Sequence, residues 1–198
     1  NVRVGGGTIA GVSALTVKEG QRFFSDLQLS EKDAAIADKV LKLLDGTMAE
    51  LKIGDPMRLD TDIGPVIDSE ALAMLEAHAK RMAREGRLIA EAKLSAETKD
   101  GFFFAPRAYE IDAISRLERE VFGPVLHVVR FEANALAKVC EAINATGYGL
   151  TLGVHTRIQE TSDFIRARVR VGNLYVNRNQ IGAVVGVQPF GGEGLSGT

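Results

Sequence analysis

Two short segments of this 198-residue chain concentrate residue types that can do chemistry. The first is Glu120-Val121-Phe122-Gly123-Pro124, where a carboxylate, an aromatic ring and a rigid turn meet just before a predicted strand. An acidic side chain there can accept hydrogen bonds from sugar hydroxyls. The plainer reading is a turn leading into a strand, with a solvated Glu120 and a core Phe122. The second segment is Gly182-Ala183-Val184-Val185-Gly186, followed by Gln188-Pro189-Phe190-Gly191-Gly192, just past a predicted strand end. Backbone N–H groups without bulky side chains approach an anion closely, and ligands in α/β sheets favour strand ends. Here the plainer reading is that glycines permit tight turns, and the Gly-x-x-x-x-Gly-Lys pattern of a phosphate loop is absent. Position alone leaves both questions open.

The remaining reactive residue types point to structure. Cys140, the one cysteine, shares a helical face with Leu136, Val139 and Ile143 and reads as a buried small hydrophobe. It cannot form an internal disulfide. His78, His127 and His155 have no metal-ligand spacing, so no metal site is expected. Arg166, Arg168 and Arg170 read as a solvated helix C-terminus, where cations meet the negative end of the dipole. With 24 Lys+Arg against 26 Asp+Glu the net charge is -2, which disfavours a nucleic-acid or acidic-membrane partner. The sequence shows neither a membrane-spanning apolar run nor a secretory signal, so a cytoplasmic location is expected. The opening without Met and the glycine-rich ending point to truncation at one or both ends.

The elements that must position these residues follow from periodicity. Residues 1–30 give neither a helical nor a strand period and stay unassigned. From Ser30, with Asp33 in a capping-box-like position, Ile36, Val40, Leu43, Leu44, Met48 and Leu51 predict a helix that runs to Gly54-Asp55-Pro56. Asp68 as N-cap, with Ile67 and Leu72 as a hydrophobic staple, predicts a second helix that Gly86 ends. Strands are predicted over 87–90, 102–104, 125–131, 151–156 and 173–177, and further helices around 136–143 and over 158–169. This alternation predicts an α/β fold, a mostly parallel sheet covered by helices, over residues 31–198.

Four stretches carry a family resemblance: Asp60-Thr61-Asp62-Ile63-Gly64-Pro65-Val66-Ile67, Asn144-Ala145-Thr146-Gly147-Tyr148-Gly149-Leu150-Thr151, Gly172-Asn173-Leu174-Tyr175-Val176-Asn177-Arg178-Asn179, and residues 181–198. From about residue 36 onward the chain resembles the catalytic-domain half of the aldehyde dehydrogenase superfamily. Within it, the chain is most similar to L-glutamate γ-semialdehyde (Δ1-pyrroline-5-carboxylate) dehydrogenases, and above all to the dehydrogenase module of bifunctional proline-utilization proteins (PutA). The resemblance implies an incomplete aldehyde-dehydrogenase-like catalytic domain, NAD as cofactor, a homo-oligomeric parent and a role in proline catabolism. It assigns Glu120 to the nicotinamide ribose, Phe122 to the nicotinamide region, the amides of Gly182 and Ala183 to the substrate's α-carboxylate, and Phe190 to its aliphatic carbons. In the family reaction a Cys thiolate attacks the aldehyde, the hemithioacetal passes hydride to NAD, and water hydrolyses the thioester.

The chain departs from the family where the nucleophile should stand. Gly20-Gln21-Arg22 matches the tripeptide that precedes the family's Cys, but Phe23 follows, then Phe24 at the position of a substrate-binding Ser, with Ser25 displaced by one. The dinucleotide-binding domain, general-base Glu and oxyanion Asn of the family have no counterpart in residues 1–30. The expectation is part of an L-glutamate γ-semialdehyde dehydrogenase that does not turn over alone. The alternative is a non-catalytic relative kept for subunit contacts or amino-acid binding. Apolar surface exposed where the missing domain should dock predicts self-association or poor solubility.

Overall fold

A computed structural model describes residues 3–4, 7–8 and 30–197, with side chains from residue 37 onward, and divides the chain into residues 1–50 and residues 51–198. In the first unit β1 (Arg3–Val4) pairs antiparallel with β2 (Gly7–Thr8), and α1 spans Ser30–Ala49. The capping side chains expected at Ser30 and Asp33 lie outside the described side chains, and Phe23, Phe24 and Ser25 lie outside the described residues.

The first predicted helix is corrected at its end: it stops at Ala49, not at Gly54. Leu51 and its successors leave the helix because their backbone is taken by a loop. Lys52 O accepts from the amides of Asp62 and Ile63, Gly54 N donates to Ile63 O, and Ile53 bridges Ile63. The Asp62 carboxylate adds a bond from Lys52 N at 2.9 Å.

The second unit begins its regular structure with α2 (Ser69–Glu85). Asp68 caps it as expected, its carboxylate accepting from Ala71 N at 2.8 Å, and Gly86 N closes the other end on Met82 O at 2.8 Å. The buried side chains Leu75, His78, Ala79 and Met82 recur at three- and four-residue steps and face the core. Chain reversal at Gly86 leads into β3 (Arg87–Glu91), which pairs antiparallel with β4 (Arg107–Ile111); β4 pairs parallel with β5 (Val125–Val129). Leu75, Ala79 and Phe104 form one buried cluster, and Met82, Tyr109 and Ile111 a second. Val125 packs against both, so the start of β5 is fixed by the helix and the sheet together.

Charged side chains tie the three strands along their exposed edges. Glu110 pairs with Arg87 and, at 2.8 Å, with Arg130; Arg107 pairs with Glu91 at 2.8 Å. The carboxyl of Glu110 is held below its ordinary range, first by the hydrogen bond from Arg87.

The predicted strand over 102–104 is not one. Phe102 O accepts from Val66 N and Pro106 O from Ala92 N, but Pro106 has no N–H to donate, so no strand ladder forms until Arg107. Phe104 is still core.

Beyond β5, α3 (Leu136–Ala145) buries Cys140, and β6 (Tyr148–Gly149) leads into β7 (Thr151–Val154). After α4 (Gln159–Arg166), β8 (Asn173–Val176) pairs parallel with β7, and β9 (Glu193–Gly194) pairs antiparallel with β6. The architecture is α/β, with β4–β5 and β7–β8 as its parallel pairs. Asn144 at the end of α3 clamps the segment after α4, donating to Arg168 O at 2.7 Å and accepting from Arg170 N at 2.9 Å. Two of the three arginines are occupied locally: Arg166 pairs with Asp163 at 3.5 Å, and the Arg168 guanidinium lies 3.6 Å from the Phe164 ring centre.

Two features generate predictions. At Gly172, a Cβ would fall on the carbonyl of Gly191 and 2.9 Å from Gly192 Cα, backbone atoms that cannot swing aside. Gly172→Ala should therefore cost about 1–3 kcal/mol, the usual range for overpacking, read as a lower denaturant midpoint.

The second is a contact that spacing did not reveal: His78 Nε2 and His127 Nε2 are 2.8 Å apart, with the rings edge-on at 80°. One imidazole must accept, so at least one is neutral. Burial and the neighbouring His78 and Arg81 push His127 down to about 4, and burial with Arg81 also lowers His78. A histidine depressed in the fold contributes stability that is complete above about pH 6.5 and is lost as pH falls towards the folded value. The thermal midpoint should fall between pH 6.5 and about 4.5, above the range in which the paired carboxylates titrate, and His127→Gln should flatten that slope.

Candidate functional site

The segment 120–124 is seated by its middle. Val121 packs inward on the Leu75–Phe104 cluster, and Gly123 has φ +151°, with space for a Cβ filled by Leu75 Cδ2 at 2.6 Å. Only glycine combines that backbone with that approach. Pro124 O accepts from Arg107 N at 3.1 Å, and Val125 N donates to Gly123 O at 2.8 Å, which joins the turn to β4 and β5. With Val121 turned in, Glu120 and Phe122 are exposed, the Phe122 ring at 80%. The plainer reading of Phe122 as a core residue is overturned: Val121 occupies the inward place. No described side chain or backbone group bonds the Glu120 carboxylate, so its acceptor oxygens are open to a ligand.

The second segment leaves β8 through Asn177, which has φ +55°, a conformation asparagine tolerates better than most residues. Its side chain clasps Thr156 twice, accepting from Thr156 N at 2.9 Å and donating to Thr156 O at 2.8 Å. Farther on, Asn173 Nδ2 donates to Pro189 O at 3.1 Å, and the glycine contact of Gly172 with Gly191 and Gly192 closes the loop on β8. Within it, Val184 N donates to Gln188 Oε1 at 2.8 Å, and Val184 O accepts from the amides of Val187 and Gln188. The amides of Gly182 and Ala183 donate to no acceptor among the described residues. A Cβ on Gly182 would meet nothing within 4 Å, so the space in front of it is open. Phe190 is 80% exposed.

The expected site residues thus form two groups. Glu120 and Phe122 share one turn; Gly182, Ala183 and Phe190 share the other loop. No hydrogen bond, ion pair or ring contact among the described residues joins the two groups. Neither of two surface clefts, about 140 Å³ by Asn144, Tyr148 and Arg170, and about 280 Å³ by Lys52, Arg58 and Lys93, is lined by any of the five. Cys140 is 2% exposed, and burial raises its thiol above the usual range, the opposite of an activated nucleophile. No three His, Cys, Asp or Glu side chains converge among the described residues.

Sequence reasoning missed Tyr175, Gln188, Asn173 and Asn177, which build the second loop. A signal was present: in Asn173-Leu174-Tyr175-Val176, the two buried positions alternate and both carry polar tips. A buried amide and hydroxyl on one strand face require partners nearby.

The family model for the aldehyde dehydrogenase family matches residues 12–198. Bifunctional protein PutA of Escherichia coli (strain K12) is 58% identical over 168 residues, covering 82% of this chain and 13% of that protein. A 1-pyrroline-5-carboxylate dehydrogenase of Geobacillus sp. (strain WCH70) is 36% identical over 165 residues, covering 82% of this chain and 31% of that protein. Among solved structures, a variant of Bradyrhizobium japonicum PutA superposes with a TM-score of 0.78 at 53% identity over 82% of this chain and 16% of that one. The 1-pyrroline-5-carboxylate dehydrogenase from Thermus with bound NAD superposes with a TM-score of 0.67 at 40% identity over 77% of this chain and 29% of that one. The chain spans less than a third of the length of each of these relatives. With this match along most of its length, on an α/β scaffold that seats both expected loops, the chain belongs to the aldehyde dehydrogenase family.

Proposed function

We propose that these 198 residues are part of an NAD-dependent dehydrogenase that oxidises L-glutamate γ-semialdehyde, the open form of 1-pyrroline-5-carboxylate, to glutamate in proline catabolism. The observation that carries the reading is the pair of amides at Gly182 and Ala183 that donate to no acceptor among the described residues, with open space at Gly182. Two adjacent N–H donors without side-chain cover suit a carboxylate, and a hydrogen bond to a charged group contributes about 1.5–3 kcal/mol. Phe190, exposed on the same loop, covers the aliphatic carbons of an amino-acid semialdehyde. The relatives named for 1-pyrroline-5-carboxylate support that substrate.

For the cofactor, Glu120 offers an unpaired carboxylate to ribose hydroxyls and Phe122 an exposed ring to the nicotinamide region; both fit NAD. When bound, NAD supplies the hydride acceptor. The residues of this chain bind and orient; they do not attack. Phe23 stands where the family has its nucleophile, and the one thiol, Cys140, is buried. The chain alone is therefore inactive in this reading. The parent is read as a cytoplasmic homo-oligomer that needs no metal; no described helix is long and apolar enough to cross a membrane.

Two measurements test the proposal. L-Glutamate, the product, titrated into the ¹⁵N-labelled chain should shift the Gly182 and Ala183 amides, and Gly182→Val should weaken binding at least tenfold while leaving the thermal midpoint unchanged, since a Cβ there meets nothing within 4 Å and the residue is exposed. Equal glutamate affinity in Gly182→Val would sink the carboxylate assignment. The purified chain with NAD and the semialdehyde should give no absorbance rise at the NADH wavelength, and any turnover abolished by Glu120→Ala would overturn the inactivity.

A further inference from the structure

We infer that Tyr175 and Gln188 are positioning residues that aim the Ala183 amide at the substrate carboxylate, beside the uncommitted Gly182 amide; the inference rests on the carboxylate reading above. Tyr175 is 6% exposed, on β8, and its hydroxyl lies 3.2 Å from Gly182 O and 3.4 Å from Gln188 Oε1. The Arg178 guanidinium covers the ring at 4.9 Å, so the phenol is held on its face as well as at its tip.

The geometry decides what this contact does. Gly182 C=O and Ala183 N–H belong to one peptide unit, which is planar and trans, so fixing the carbonyl fixes the N–H in the opposite direction. With the carbonyl drawn to a buried hydroxyl, the Ala183 N–H points away from Tyr175. Gln188 Oε1 takes Val184 N at 2.8 Å, the next amide along, and withdraws it from ligand binding. Of three successive amides, the clip consumes the last and leaves Gly182 and Ala183 as donors. The loop is otherwise glycine-bounded, and a free peptide unit beside glycine flips readily. The two side chains hold one of its orientations.

The test uses the whole chain and separates the clip from the carboxylate reading. In the wild type, the Val184 amide should be protected from hydrogen exchange, and Ala183 should show a rigid heteronuclear NOE. Tyr175→Phe keeps the ring and its Arg178 contact but removes the hydroxyl: the Ala183 NOE should drop, and the glutamate dissociation constant should rise about tenfold, without change in the midpoint of unfolding. Gln188→Leu should expose Val184 to exchange, and Gln188→Glu, which keeps the acceptor, should restore its protection. If Tyr175→Phe leaves both the Ala183 NOE and glutamate affinity at wild-type values, the clip is overturned while the carboxylate reading stands. If the wild type itself shows no glutamate-induced shift at Gly182 and Ala183, the carboxylate reading falls and the positioning role falls with it.

Discussion

Both loops of the site close on their scaffold where a side chain is missing. At Gly123 the absent Cβ admits the Leu75 methyls; at Gly172 it admits the backbone of Gly191 and Gly192. A methyl group would sit inside van der Waals distance of a fully buried leucine at Gly123 and of backbone atoms at Gly172. The consequence is that each loop has a single seat. The turn bearing Glu120 and Phe122 rests on a fully buried leucine of α2, and the loop bearing Gly182 and Ala183 rests on the first residues of β8. The first turn is thus tied to the α2 core, and the second loop to backbone at the start of β8.

From these seats the chemistry follows by subtraction. Val121 and the Leu75 contact use up the inward side of the first turn, so Glu120 and Phe122 are what remains outside. In the second loop, Gln188 and the turn at Val184 use up the neighbouring polar groups, so the two amides are what remains. Ordering a backbone residue costs about 1–2 kcal/mol, comparable to what one amide bond to a carboxylate returns. A loop left to order itself on binding would lose most of that gain, whereas one already tied to Asn173, Tyr175 and Asn177 keeps it.

Much of this was legible in the sequence, and the remainder was hidden for identifiable reasons. Asp68 and Gly86 marked α2 at both ends because capping is a local interaction written in adjacent residues. The aromatic run Phe102-Phe103-Phe104 imitated a strand, while the true strand, Arg107-Ala108-Tyr109-Glu110-Ile111, was masked by its charges, which pair across to Arg87, Glu91 and Arg130 and so belong to the sheet. His78 and His127 touch across a separation of 49 residues, which no spacing rule can see. The roles proposed for Glu120, Phe122, Gly182, Ala183 and Phe190 rest on family resemblance; composition and periodicity left each segment balanced against an ordinary turn. The physical reason is that exposed loop residues owe nothing to the core, so no hydrophobic period marks them.

Cys140 has one more property. It is the single sulfhydryl of the sequence, enclosed by α3 and its surroundings and shifted towards the protonated form. A maleimide or disulfide reagent reaches it only when that region opens. The native thiol is thus an intrinsic reporter: its labelling rate measures how often the second unit unfolds locally, with no engineered probe and with no other cysteine to confuse the signal.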